Sequence, residues 1–159
     1  MDLRLADASD VTALERLLLE AVNWSPDRTQ LTLEQLQDND ALLRYVEEWP
    51  RDDDAGVMAE DDDRVVGAAW FRRFARDRPG FGFIDELTPE VSVAVTPGSR
   101  GRGVGSQLLA TLIEIGRERG FERLSLSVDS RNPAVRLYRR LGFVVAVDEN
   151  GSYTMGLQL

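Results

Sequence analysis

Residues 91–113 read Val91-Ser-Val-Ala-Val-Thr-Pro-Gly-Ser-Arg-Gly-Arg-Gly-Val-Gly-Ser106, then Gln107-Leu-Leu-Ala-Thr-Leu-Ile113. Val91, Val93 and Val95 alternate with small residues, the period-2 pattern of a strand. Pro97-Gly98 stops it. Beyond the glycines, Val104, Leu108, Leu112 and Gly116 recur every four residues with Leu109 and Ile113 beside them, which predicts an amphipathic helix. Between strand and helix lies Arg100-Gly101-Arg102-Gly103-Val104-Gly105. A helix start leaves its first N–H groups without partners and carries the positive end of the dipole, so it suits a phosphate. Glycines there let a pyrophosphate approach the backbone closely.

Three readings compete for this loop. A P-loop needs lysine after its last glycine, where this chain has Ser106. A dinucleotide fingerprint is Gly-x-Gly-x-x-Gly near a first strand, whereas this Gly-x-Gly-x-Gly stands late in the chain. A plain glycine turn that only packs a helix on a sheet accounts for the loop alone but not for a second block downstream. That block is Asn132-Pro-Ala-Val-Arg-Leu-Tyr-Arg-Arg-Leu-Gly-Phe143. Arg100, Gly103 and Gly105 resemble the Arg-x-x-Gly-x-Gly acetyl-coenzyme A loop of the GNAT N-acetyltransferases. The second block resembles that family's Asn-x-x-Ala-x-x-x-Tyr-x-x-x-Gly-Phe segment, with shorter spacing before the alanine. The resemblance is strong from Val91 to Phe143 and loose before it, and the family's usual length is that of the whole chain. It implies one domain over residues 1–159, of α/β (α+β) class. Its mixed, mostly antiparallel central sheet would have splayed fourth and fifth strands and about four flanking helices.

Composition bounds the chemistry. The chain has 159 residues and neither cysteine nor histidine, and its net charge is -9. Cys/His zinc sites, cysteine nucleophiles and histidine triads are thereby excluded, and no metal is expected. The acidic balance opposes binding to nucleic acid or anionic membranes, and argues against an acceptor such as charged tRNA. No apolar run reaches membrane-spanning length, and Met1-Asp2-Leu3-Arg4 does not open like a signal peptide, so the cytoplasm is the expected compartment. Every basic side chain is arginine. The acidic runs Asp52-Asp53-Asp54 and Glu60-Asp61-Asp62-Asp63 read as solvated loops.

Outward from the central stretch, Leu3 and Leu5 mark a short first strand. Asp7 or Ser9 caps a helix with Val11, Leu14, Leu18 and Val22 inward. Thr32 caps a second helical stretch, with Leu33, Leu36, Leu43 and Val46 inward, that ends at Trp49-Pro50. Trp24 and Trp49 read first as core and second as acceptor contacts. Residues 55–60 and 64–71 form a hairpin in which Gly67 permits close packing. Arg72 to Gly82 reads as a basic loop, a connection that could also cover the acceptor. Residues 124–128 form a fifth strand. Asn132 then caps a helix with Pro133 first and Ala134, Leu137, Tyr138 and Leu141 on its apolar stripe. A last hairpin turns at Glu149-Asn150-Gly151.

Acetyl transfer to an amine requires loss of the ammonium proton, stabilisation of an oxyanion, and protonation of the departing thiolate. The resemblance implies that pantetheine lies against backbone freed from the ladder at Val93, Ala94 and Val95. The pyrophosphate would meet the amides from Arg100 through Gly101, Arg102, Gly103, Val104, Gly105 and Ser106, with Asn132 a further cofactor contact. Tyr138 matches the tyrosine that protonates the thiolate, though its place on an apolar stripe equally suits a core residue. With histidine absent, carboxylates are left as the base. Glu90 opens the fourth strand and is preferred over Glu86, with Asp85 just upstream. Acetyl-CoA is thus the expected co-substrate and a primary amine of a small molecule or peptide the expected acceptor. The alternatives are another acyl donor or a hydroxyl acceptor, or a non-catalytic acyl-CoA-binding regulatory module. Dimers are common in the family, so a homodimer stands among the implied states.

Overall fold

The computed structural model describes residues 1–159. Seven strands form one sheet: β1 (Asp2–Leu5), β2 (Ala55–Asp61), β3 (Arg64–Arg72), β4 (Glu90–Val95), β5 (Arg123–Asp129), β6 (Val144–Glu149) and β7 (Ser152–Gln158). Their order is β1-β2-β3-β4-β5-β7-β6, antiparallel throughout except for the parallel β4–β5 contact. Five α-helices accompany them: α1 (Val11–Val22), α2 (Leu33–Gln37), α3 (Asp40–Leu43), α4 (Val104–Glu118) and α5 (Ala134–Arg140). None is long and apolar enough to cross a membrane.

Local rules place most of these elements. Thr32 accepts from Gln35 N, and the Gln35 side chain accepts from Thr32 N, so α2 starts in a capping box. Asn150 and Gly151 both have positive φ and join β6 to β7 in a two-residue turn. The second helical stretch departs from expectation. It divides into α2 and α3, because Asn39 leaves the helical region and its side chain caps α3 through Leu42 N. The chain therefore has five α-helices where about four were expected.

Alternation along β4 sends its side chains into two cores. Val91 joins Leu108, Leu109, Leu112, Leu124 and Tyr138 on the α4 side. Ala94 joins Leu14, Leu36, Tyr45, Val46 and Trp70 on the α1 side. Two sequence readings are corrected on this second face. Arg72 belongs to β3 rather than to a loop, and it is buried against the equally buried Asp54. Its Nε and Nη2 donate to Asp54 at 3.0 and 2.6 Å, and its Nη1 donates to the carbonyls of Arg44 and Glu47. Asp54 is therefore not a solvated loop residue but the partner of a buried charge, which can stay ionised only with such a partner. Trp49 is core, its Nε1 donating to Asp7 O.

Candidate acyl-transfer cleft

The sheet opens between its fourth and fifth strands. β3 and β4 pair along six registers, whereas β4 and β5 share only Glu90 opposite Ser125. Ser125 N donates to Pro89 O at 2.9 Å. In a strand, backbone groups two residues apart point the same way, so those of Val91, Val93 and Val95 also face β5. Beyond the Glu90–Ser125 bridge, which Pro89 and Val91 flank, β5 makes no further pairing with Val93 or Val95. The splay implied by the resemblance is present, and it frees the main chain of Val93 and the N–H of Val95 from the ladder. Ala94 points its backbone the other way, toward Ala68 in β3, and its side chain is buried on the α1 side.

At the end of β4 the chain makes a short 3-10 turn at Pro97–Ser99 and enters α4 through two glycines of positive φ, Gly101 and Gly103. Gly103 takes the capping position, where it offers no side-chain acceptor. The first backbone bond of the helix is Gln107 N to Gly103 O. The N–H groups of residues 101–106 make no hydrogen bond within the protein. Six consecutive unpaired donors at a helix start form a cradle for an anion. Gly105 has ordinary backbone geometry, and a Cβ there would meet nothing nearer than Leu137 Cδ2 at 3.4 Å. The surrounding fold does not require glycine at this position. Arg100 donates through Nε to Val95 O at 3.1 Å and reaches Glu20 at 3.4 Å, while Arg102 lies 3.6 Å from Asp61. Both remain largely exposed at the edge of the cradle.

On the α4 side of the opening stands Tyr138, carried by α5. Its ring packs edge-on to Phe143 with centroids 6.1 Å apart, and no side-chain or backbone hydrogen bond bears on its hydroxyl. Burial alone pushes this phenol up to about 12. Asn132 Oδ1 accepts from Ala134 N at 2.9 Å, so its side chain caps the turn into α5.

Glu90 lies on the opposite, α1 side. The two candidate proton carriers are thus on different faces, with the opening between them. Glu90 is 3% exposed. Its Oε2 accepts from the Tyr45 hydroxyl in a short hydrogen bond, and its Oε1 accepts from Gly82 N at 3.0 Å. Burial pushes the carboxyl up to about 7, and those two bonds pull against it by favouring the anion. Tyr45 is raised well above the usual phenol value by burial and then by the neighbouring carboxylate. Across the last shared register, the Ser125 hydroxyl is buried without a hydrogen-bond partner. Glu86 is elsewhere, exposed on the loop with its Oε2 accepting from Arg76 N. Asp85 pairs with Arg123 at 2.7 Å.

Sequence reasoning missed Tyr45, Gly82 and Ser125. Tyr45 lies 45 positions from Glu90 in a segment whose apolar spacing signals only core. Gly82 follows Pro79-Gly80 and reads as turn, yet a Cβ on it would stand 2.5 Å from Leu126 C and 2.7 Å from Ser127 N. The loop therefore spans from Glu90 on β4 to the backbone of β5 at the opening.

The comparisons with known proteins agree with this arrangement. The sequence profile of the Acetyltransferase (GNAT) family matches residues 16–143. Mycothiol acetyltransferase of Actinosynnema mirum is 35% identical over 138 residues, covering 84% of this chain and 41% of that protein. This chain therefore spans less than half the length of that relative. L-methionine sulfoximine/L-methionine sulfone acetyltransferase of Salmonella typhimurium is 32% identical over 151 residues, with 91% and 81% covered. Among solved structures, yncA of Salmonella typhimurium, determined with its cofactor acetyl-CoA, superposes with a TM-score of 0.73 at 26% identity. That match covers 100% of this chain and 94% of the other.

Proposed function

Since this chain belongs to the GNAT acetyltransferase family, we propose that it transfers an acetyl group from acetyl-CoA directly to a primary amine of a small molecule or peptide. The observation that supports this reading most is the single-register contact of β4 with β5 beside six unpaired N–H groups. A sheet gains nothing by losing its ladder in mid-course. The opening makes sense where a ligand supplies the missing partners.

In this reading the amides of residues 101–106 hold the pyrophosphate, Arg100 and Arg102 add charge at its rim, and the freed groups of Val93 and Val95 align the pantetheine. Asn132 shapes the turn that carries Tyr138. Acetyl-CoA supplies the activated thioester. Glu90 takes the proton of the acceptor ammonium, directly or through water, onto a carboxyl that is half ionised near neutrality, where a base works best. Tyr138 keeps its proton at any physiological pH and gives it from its hydroxyl to the departing thiolate. Glu86 is not assigned a part, because it stands exposed on the loop, outside the buried contacts that join Glu90 to Tyr45 and Gly82. The names of the relatives, a mycothiol acetyltransferase and an L-methionine sulfoximine/L-methionine sulfone acetyltransferase, support small amines as the first acceptors to try. The cytoplasm, where acetyl-CoA and such amines meet, is the compartment this reading implies.

The test is thiol release from acetyl-CoA across a panel of amines, with wild type and Tyr138→Phe in parallel. Because the hydroxyl has no partner, the variant should fold within about 0.5 kcal/mol of wild type and bind acetyl-CoA equally, yet lose roughly a hundredfold or more in kcat. Tight acetyl-CoA binding with no amine-dependent release by the wild type would favour a binding module instead.

A further inference from the structure

The acceptor side of the opening is walled by the loop from Arg76 to Phe83, and this loop is fastened by one short stretch, residues 40–47. Arg44 Nη1 donates to Pro79 O at 2.8 Å. Arg78 pairs with Asp40 at 2.7 Å and with Glu47 at 2.8 Å. Tyr45 lies at the centre of these contacts. Its ring stacks on Phe81 and meets Phe74 edge-on, and its hydroxyl oxygen accepts from Phe81 N at 2.8 Å. The same hydroxyl gives its proton to the hydrogen bond with Glu90. One atom therefore joins the loop to the carboxylate. Gly82, the next residue, closes the circuit by donating to the other carboxylate oxygen.

We propose that Tyr45 is the positioning residue of Glu90, fixing the carboxylate as an oriented anion and seating the Pro79–Phe83 loop as the wall against which the acceptor amine is held. This inference rests on the functional reading above and extends it to a residue outside the cofactor side. The chemistry of the group permits it. An ionised carboxylate offers about four lone-pair sites, and two bonds leave room for an incoming proton. When Glu90 accepts that proton from the ammonium, a nitrogen–hydrogen bond breaks and an oxygen–hydrogen bond forms on the carboxyl. Tyr45 keeps its own proton throughout, so it orients the base without acting as one.

No other charge near Glu90 can do this work. Arg72 is its register neighbour on β3, but that guanidinium is committed to Asp54 and to two carbonyls. Arg44 is engaged with Asp40 and Pro79. β5 presents Ser125, and the loop presents only backbone at Gly80 and Gly82. A Cβ at Gly80 would stand 2.3 Å from Glu90 Oε1, so the loop lies directly on the carboxyl. Glu90 has no ion-pair partner, and Tyr45 is the one side chain that favours its charged form.

The test compares wild type and Tyr45→Phe with the same amine, so that the acceptor's own titration is common to both. The phenylalanine keeps the two ring contacts and removes only the hydroxyl. Loss of a hydrogen bond to a charged group should move the acidic limb of kcat/KM upward by roughly one to two pH units, with activity recovering at high pH. A tyrosine that only packs would leave the limb in place, and that result would overturn the proposal. A second measurement needs neither turnover nor the variant. The chain has three tyrosines, so labelling their phenol carbons gives three resolvable signals. The Tyr45 signal in wild type should titrate with the midpoint of the Glu90 carboxyl carbon, and a Tyr45 signal flat through that midpoint would equally overturn the pairing. Wild type that shows the shared midpoint but no turnover with any amine would sink the acetyltransferase reading while upholding the pairing.

Discussion

Glu90→Gln offers a test of the cleft that needs no substrate. Burial raises the carboxyl from 4.5 to about 7 in the folded protein. A carboxyl raised on folding binds its proton more tightly in the native state. Its contribution to stability is therefore complete below about 4.5 and lost as pH climbs through about 7. The difference of about 2.5 units corresponds to about 3 kcal/mol. Glutamine is neutral throughout, fills the same space, can accept from Gly82 N, and can donate its amide to the Tyr45 oxygen. The variant should thus escape the loss. Urea denaturation of both proteins at pH 5 and at pH 8 gives the comparison, with every other titrating group common to the pair. Relative to wild type, the variant should gain about 2 to 3 kcal/mol between the two conditions, slightly less than the full span because pH 5 already lies above the unfolded value, whatever their offset at pH 5. A difference that stays constant across this range would mean that Glu90 titrates as an ordinary surface carboxyl. The base assignment would then lose its physical support, since such a group is fully ionised at neutrality and a poor match to an amine.

Two further substitutions separate folding from function. Gly105→Ala has room for its Cβ against Leu137, and alanine favours a helix by about 1 kcal/mol, so the variant should melt at or above the wild-type temperature. Its acetyl-CoA affinity, read by calorimetry, should nonetheless fall, because in the proposed reading the methyl stands where the pyrophosphate meets the backbone. Equal affinity would remove the cradle from the binding site. Asp54→Ala should do the reverse. It strands the Arg72 guanidinium, whose remaining acceptors are two carbonyls, and should cost about 3 kcal/mol in denaturation. Since those carbonyls belong to Arg44 and Glu47, on either side of Tyr45, transfer activity should fall with it. A fully active, equally stable variant would show the pair to be idle.

What the sequence reveals and what it hides divides along one physical line. The strand, glycine turn and helix of the proposed cofactor side were legible because they are local. Strand, glycine turn and helix follow one another within residues 91–118, and the period-2 and four-residue patterns report backbone geometry directly. Tyr138 was legible for the same reason, since the Asn132–Phe143 block is one turn, one helix and its stop. Glu90 could be named as a candidate from its place at the start of β4, but not its burial, because burial depends on what lies over it. The proposed acceptor side is assembled from residues 40–47, 72–90 and 125, joined only through tertiary contacts. Tyr45 and Glu90 meet across 45 positions, and Arg72 and Asp54 across 18. No periodicity encodes such meetings. A charged residue that will be buried looks the same in sequence as one that will be solvated, and only the partner decides. Asp54 was misread on that account, and the loop around Gly82 read first as a connection and only second as a cover for the acceptor. The same division bears on what the cleft does. A cradle for a shared donor can be built from one contiguous motif, whereas selection of one acceptor among many falls to side chains gathered from distant segments. Altering residues 40–47 or 76–83 should therefore change which amine is used before it changes whether acetyl-CoA is bound, and the same amine panel, run beside calorimetry on such variants, reads the two effects apart.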